Sequence, residues 1–104
     1  MEHAVIVHLM LSDDQFGDEA EREAIFYLED LLIDAIDNAG LGEFDGNEFG
    51  AGECTLYMYG RDADRMFNAI SPILASTRLS RGGHAVKRYG PATDPLSMEV
   101  KVPL

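Results

Sequence analysis

The run from Asp45 to Asp64, DGNEFGAGECTLYMYGRDAD, constrains this chain more than any other. Gly50-Ala51-Gly52 marks a tight reversal. Behind it, Cys54, Leu56 and Met58 alternate with Glu53, Thr55, Tyr57 and Tyr59. A period of two describes a strand with one apolar face buried and the other set pointing away. Ahead of it, Leu41 to Phe49 reads as the hairpin partner, with Gly46 where a bulge or local twist is expected. Gly60-Arg61-Asp62 then turns the chain, and Asp62 is placed to cap a helix from Ala63 to about Ser76. Any fold must therefore hold an antiparallel hairpin that feeds a helix.

The flanking segments extend that frame. Residues 3–11 read as a first strand, with Val5, Val7, Leu9 and Leu11 on one face and Ala4, Ile6, His8 and Met10 on the other. Both faces are largely apolar, which marks a central strand. His3 sits at its fraying start, and Ser12-Asp13-Asp14 breaks it. Residues 18–39 read as an amphipathic helix with Ala24, Ile25, Leu28, Leu31, Leu32, Ala35, Ile36 and Ala39 as its core stripe. Asp18, Glu19, Glu21 and Glu23 suit the positive end of its dipole. Glu29, Asp30, Asp34 and Asp37 are expected on the wet side, and Gly40 ends the helix. Phe26 and Ile33 lie one flank away and widen the core contact or make a small subunit contact.

In the second helix Phe67, Ile70, Ile73 and Leu74 form the buried stripe, while Pro72 predicts a kink or a split into two pieces. Arg78 to Gly83 reads as a basic, flexible loop. His84–Tyr89 is a fourth strand, Gly90–Pro95 a loop, and Met98–Val102 a short edge strand antiparallel to the fourth. The order β-α-β-β-α-β plus a terminal strand is the ferredoxin-like split βαβ pattern. It is a single α+β plait over residues 1–104, with an antiparallel sheet and both helices on one face. The other face is left open. It should carry His8, Glu53, Thr55, Tyr57 and Tyr59, the candidate binding residues.

Charge narrows the function classes. The 104 residues carry a formal net charge of −11, which repels a phosphate backbone and argues against nucleic-acid partners. Residues 1–60 hold fifteen acids and one base, Arg22, whereas residues 61–104 hold four acids and seven bases. That asymmetry suits solubility, or a basic protein partner facing the acidic half. Cys54 is the only cysteine, so no disulfide forms within the chain. The start lacks a basic region and its apolar run is too short to span a bilayer. The expected setting is cytoplasmic, with no membrane partner.

Motifs add little chemistry. Aromatics on the third strand of this topology bring the RNA-recognition motif to mind, but ECTLYMYG lacks that family's basic residue and glycine-aromatic spacing. Asp45, Glu48 and Glu53, with Glu43, offer oxygen donors, yet their spacing is not a calcium loop, so they are weak metal candidates only. The histidines at 3, 8 and 84 have no helical pairing, Cys54 points inward, and no serine sits in a nucleophile elbow. No catalytic residue and no cofactor is assigned. The hairpin run, followed by MFNAISPIL, resembles a group of small bacterial α/β-plait proteins over residues about 43 to 90. That resemblance implies the plait fold and a bacterial origin, and no established activity comes with it.

The expectation is a non-enzymatic binding protein whose partner is a second copy, a small ligand or a basic protein that it covers as an inhibitor would. The rival is a small enzyme with His8 or Glu53 as base and Tyr57 or Tyr59 as donor. Between them lies a regulatory module like the small amino-acid-sensing domains of similar topology, an analogy of fold alone.

Overall fold

The computed structural model describes residues 2–13 and 15–104. The strands are β1 (His3–Met10), β2 (Gly42–Gly50), β3 (Glu53–Gly60), β4 (His84–Arg88) and β5 (Glu99–Pro103). The helices are α1 (Glu19–Ile36) and α2 (Ala63–Ala75), and a single 3-10 turn covers Arg78–Ser80. One sheet holds the strands in the order β2-β3-β1-β4-β5, with every neighbouring pair antiparallel. The class is thus α+β, compatible with a plait.

The hairpin forms as its residues dictate. Ala51 (φ 53°) and Gly52 (φ 80°) are both left-handed, the two-residue turn whose twist matches that of the flanking strands. The register shifts between Phe44 and Gly46, so Asp45 is the extra residue of a bulge. Alternation then sets the core. Val5, Val7 and Leu9 pair with Met58, Leu56 and Cys54, and all six are at most 1% exposed. They join Ile25, Leu28, Leu32 and Ile36 of α1 and Met66, Ile70 and Leu74 of α2 in one buried cluster. Each such side chain contributes roughly 1.5–3 kcal/mol by burial, so a one-residue slip of β1 is strongly opposed. Gly42 pairs with Gly60 beneath Met66. A Cβ on Gly42 would lie 2.3 Å from the Tyr59 carbonyl oxygen and 2.9 Å from the Met66 sulfur.

Several expectations need correction. α1 is shorter than residues 18–39. Asp18 is its cap and accepts from the Glu21 N–H at 2.8 Å. Its buried line is Ile25, Leu28, Glu29, Leu32 and Ile36, while Ala24, Leu31 and Ala39 are exposed. Glu29 is therefore inside, not on the wet side. The helix is rolled toward β2, where the Asn47 amide donates to Glu29 Oε2 at 2.8 Å and Phe26 meets Phe49 edge-on at 6.0 Å. Burial pushes the Glu29 carboxyl above its ordinary range, opposed by the Asn47 hydrogen bond.

α2 runs unbroken through Pro72. Pro72 and Asn68, the residue whose carbonyl loses its helical donor, are both exposed, so water can take the missing bond. The Arg78–Gly83 stretch is anchored rather than free. The Ser80 hydroxyl donates to the Leu74 carbonyl at 2.6 Å. β1 stops at Met10, β4 at Arg88, and β5 runs from Glu99 through Pro103. Before α1, Asp13 Oδ1 accepts the N–H groups of Gln15 and Gly17; Asp14 lies outside the described residues.

Two stability tests follow from this packing. Gly42→Ala should destabilise the fold by about 2 kcal/mol, because backbone must move to admit the methyl group. Gly50→Ala, in the same strand with nothing within 4 Å of the new Cβ, should stay within about 1 kcal/mol of wild type. Urea denaturation midpoints compare them. Glu29→Gln should raise the midpoint at neutral pH, since the amide oxygen can still accept from Asn47 and a disfavoured buried charge is gone.

Candidate functional site

The parity that buries Val5, Val7 and Leu9 turns Ala4, Ile6, His8 and Met10 to the opposite face. Strand register then assembles that face. His8 lies between Thr55 of β3 and His84 of β4, Ile6 between Tyr57 and Val86, and Ala4 between Tyr59 and Arg88. Met10 pairs with Glu53. The five residues expected on this face, His8, Glu53, Thr55, Tyr57 and Tyr59, do share it. His84 joins them and was not anticipated, because β4 has no strong alternation of its own and its parity follows only from its pairing with β1.

The centre of the face is a small polar cluster. His8 Nδ1 lies 3.1 Å from Glu53 Oε1. A carboxylate only accepts, so Nδ1 carries the proton in that contact and Nε2 of the neutral ring is left as an acceptor. The His8 ring stacks on His84, with centroids 4.4 Å apart and planes 15° from parallel. Burial holds His84 below the ordinary histidine value of 6.5, and the neighbouring His8 and Lys101 push the same way against Glu53. Tyr57 donates to Glu48 Oε1 at 3.0 Å; its hydroxyl is raised by burial first and then by Glu48. Tyr59 lines a groove with Tyr57 and Glu48. It also lines a cleft of about 490 Å³ with Gly42, Gly60, Arg61 and Arg65.

The weak metal candidates do not converge. Glu48 is engaged by Tyr57 and Glu53 by His8. Among the described residues no group of three His, Cys, Asp or Glu side chains is placed to hold a metal ion. Cys54 is buried, and desolvation, then the nearby Glu29, push its thiol up to about 12. Such a thiol is no nucleophile at neutral pH.

A second polar cluster ties β4 to α2. Lys87 Nζ and the Tyr89 hydroxyl both donate to Asp64 Oδ1, at 3.0 and 2.5 Å. The Lys87 ammonium also lies 5.4 Å from the centre of the Phe67 ring. The Tyr89 hydrogen bond, then Lys87, hold the Asp64 carboxyl below its ordinary range. His3 is not fraying. Its Nδ1 accepts the Ala63 N–H at 3.1 Å, and its ring meets Tyr89 edge-on. These hydrogen bonds join residues 23 to 60 positions apart, a distance at which no local pattern reports them.

Comparison with family models, with curated proteins and with solved structures gives no match. Among the described residues no helix is long and apolar enough to cross a membrane.

The stacked imidazoles set a sign for acid sensitivity. His84 takes a proton less readily folded than unfolded, so its contribution is fully present above about pH 6.5 and is lost as pH falls through its lower folded value. Urea midpoints at about pH 7.5 and 5 should therefore drop further in the wild type than in His84→Gln. An equal drop in both would show that the ring pair does not govern this pH range.

Proposed function

We propose that the chain is a ferredoxin-like split βαβ plait, both helices on one face, that acts by binding rather than catalysis, as the acidic partner of a basic protein. One observation carries this reading: the charge asymmetry of the sequence becomes an asymmetry of surface. α1 lies over β2, tied by the Glu29–Asn47 hydrogen bond and by Asp37, which accepts the Phe44 N–H at 2.7 Å. The exposed acids Asp30 and Asp34 of α1 and its cap Asp37 thus lie at the β2 edge of the sheet, which also carries the exposed Asp45 and, on its outward face, Glu43 and Glu48. β2 is an edge strand. Most of the bases, Arg61, Arg65, Arg78, Arg81, Lys87, Arg88 and Lys101, belong to α2, β4, β5 and the segments beside them. Such a one-sided field steers a cationic partner and raises its association rate.

A cytoplasmic setting and kinship with small bacterial plait proteins belong to the same reading, and the single unpaired Cys54 is consistent with them. A second reading, a small ligand on the outward sheet face, is favoured by the His8–Glu53 contact, which leaves an imidazole nitrogen free to accept from a ligand donor.

The test uses the immobilised full chain and lysate of its source cell, with retained proteins identified by mass spectrometry. A retained basic protein, once purified, should associate at least roughly tenfold more slowly at about 0.5 M salt than at about 0.05 M. Asp30→Lys combined with Asp34→Lys should slow it comparably at low salt. Binding indifferent to both salt and charge reversal would sink the acidic-partner reading.

A further inference from the structure

We propose that the groove between α1 and the end of α2 receives an amphipathic helix of the partner, one with a cationic flank. The inference rests on the acidic-partner reading and adds where the partner docks and through what kind of segment.

The helix that carries the acids also leaves an apolar line uncovered. α1 buries Glu29 together with Ile25, Leu28, Leu32 and Ile36. The other flank of its core, Ala24, Tyr27 and Leu31, is left exposed. Tyr27 is 68% and Leu31 36% exposed. Successive spacings of three and four residues put these side chains on one line of the helix surface. A solvated helix flank ordinarily carries polar residues there.

This line is one wall of a groove. Ile73 of α2 and Leu79 of the 3-10 turn line the same cavity, which encloses about 490 Å³. The second wall is held by the chain itself. Thr77 Oγ1 accepts the Leu79 N–H at 3.2 Å, and the Ser80 hydroxyl ties the turn to the Leu74 carbonyl. Ala24 to Leu31 spans roughly 10 Å along the axis. Anchors at i, i+3 or i+4, and i+7 of an incoming helix span the same length.

Charge names the occupant. Glu23, Asp30 and Asp34 are exposed, and each stands three or four residues from Tyr27 or Leu31, so the acids neighbour the apolar line. The one base of α1, Arg22, is engaged by the Gly17 carbonyl. A second copy paired through this line about a two-fold axis would therefore set acid against acid, in a chain of net charge −11. A helix with an apolar face and Lys or Arg beside it covers the line and answers the acids together. Across the groove the lining carries a single charge, Arg78. The flank of the partner helix turned toward α2 is therefore uncharged or acidic.

The probe is a helical peptide of roughly 14 residues, leucine on one face and lysine elsewhere, titrated into the isotope-labelled full chain at about 0.15 M salt. Amide shifts should concentrate at Ala24, Leu31, Ile73 and Leu79, with Kd tighter than roughly 100 μM. The same peptide with glutamate for lysine should bind at least roughly tenfold more weakly. Leu31→Glu adds an acid and would strengthen a contact made by charge alone; here it should weaken binding at least roughly tenfold. Tyr27→Ala, at a well-exposed position, should weaken it about threefold and keeps the test valid if Leu31→Glu fails to fold. No binding of the lysine peptide, or binding that neither variant weakens, overturns the groove. If Asp30→Lys combined with Asp34→Lys still weakens such binding, the acidic-partner reading stands without it. Binding weakened by Leu31→Glu but indifferent to that charge reversal overturns the cationic flank and the acidic-partner reading with it.

Discussion

β1 is hydrogen-bonded along both edges, to β3 and to β4, and this double pairing is the constraint on which the rest of the molecule depends. Val7 lies between Leu56 and Ala85, all fully buried. Side chains alternate with a period of two, so fixing Val7 inside fixes His8 outside, and the neighbours follow by register. A slip of one residue would carry His8 and Ile6 into the apolar cluster and expel Val5, Val7 and Leu9. The lost apolar burial, and an imidazole removed from its carboxylate, make that slip costly. The outward face is therefore fixed by the core and not by any separate instruction. His8 meets Glu53 and His84 because Val7 meets Leu56 and Ala85.

What was legible in the chain was local. The Ala51-Gly52 turn, the alternation of Cys54, Leu56 and Met58, the bulge at Gly46 and the Asp62 cap all reside in a few consecutive residues. Their chemistry needs no distant partner. The strand and helix order followed from the same signals, and parity alone placed His8, Glu53, Thr55, Tyr57 and Tyr59 together. Contacts between segments were not legible. A 3.6-residue period carries the α1 core through Ile25, Leu28, Leu32 and Ile36 as expected, but allows either of two flanks, one through Ala24 and Leu31 and one through Glu29. Hydropathy prefers the first because it keeps a carboxylate in water. The second is adopted because Asn47 and Phe49 of β2 offer Glu29 and Phe26 partners. Likewise His84, and the Asp64–Lys87–Tyr89 cluster, became visible only once β4 was paired with β1 and set against α2. Pro72 misled for a different reason: an exposed helix can leave one carbonyl to water without breaking.

The same packing sorts the charges. α1 precedes the hairpin in sequence and lies over β2 in space, which gathers the acid-rich half of the chain on one side. α2 follows the hairpin and contacts β4, where Lys87 and Tyr89 share Asp64. Like charges held close repel one another and cost some stability. The buried Glu29 adds to that cost, since desolvation disfavours its charged form. Neither feature serves the core, and both lie on the α1–β2 side. That concentration of disfavoured charge is the physical reason to look for a cationic partner there and not on the α2 side.

The two readings of the molecule answer to salt differently, and this separates them. An encounter between the acidic α1–β2 side and a basic protein weakens as ions screen it, because its long-range attraction is what salt removes. The outward sheet face differs in kind. Burial of Ile6, Val86 and Tyr57 by a ligand would be short-ranged and would persist at high ionic strength, whereas exposed Asp30 and Asp34 act mainly through the field they project. With a net charge of −11, the field is the larger lever for a cationic partner, and the half-exposed apolar side chains of the sheet are the larger lever for a neutral one.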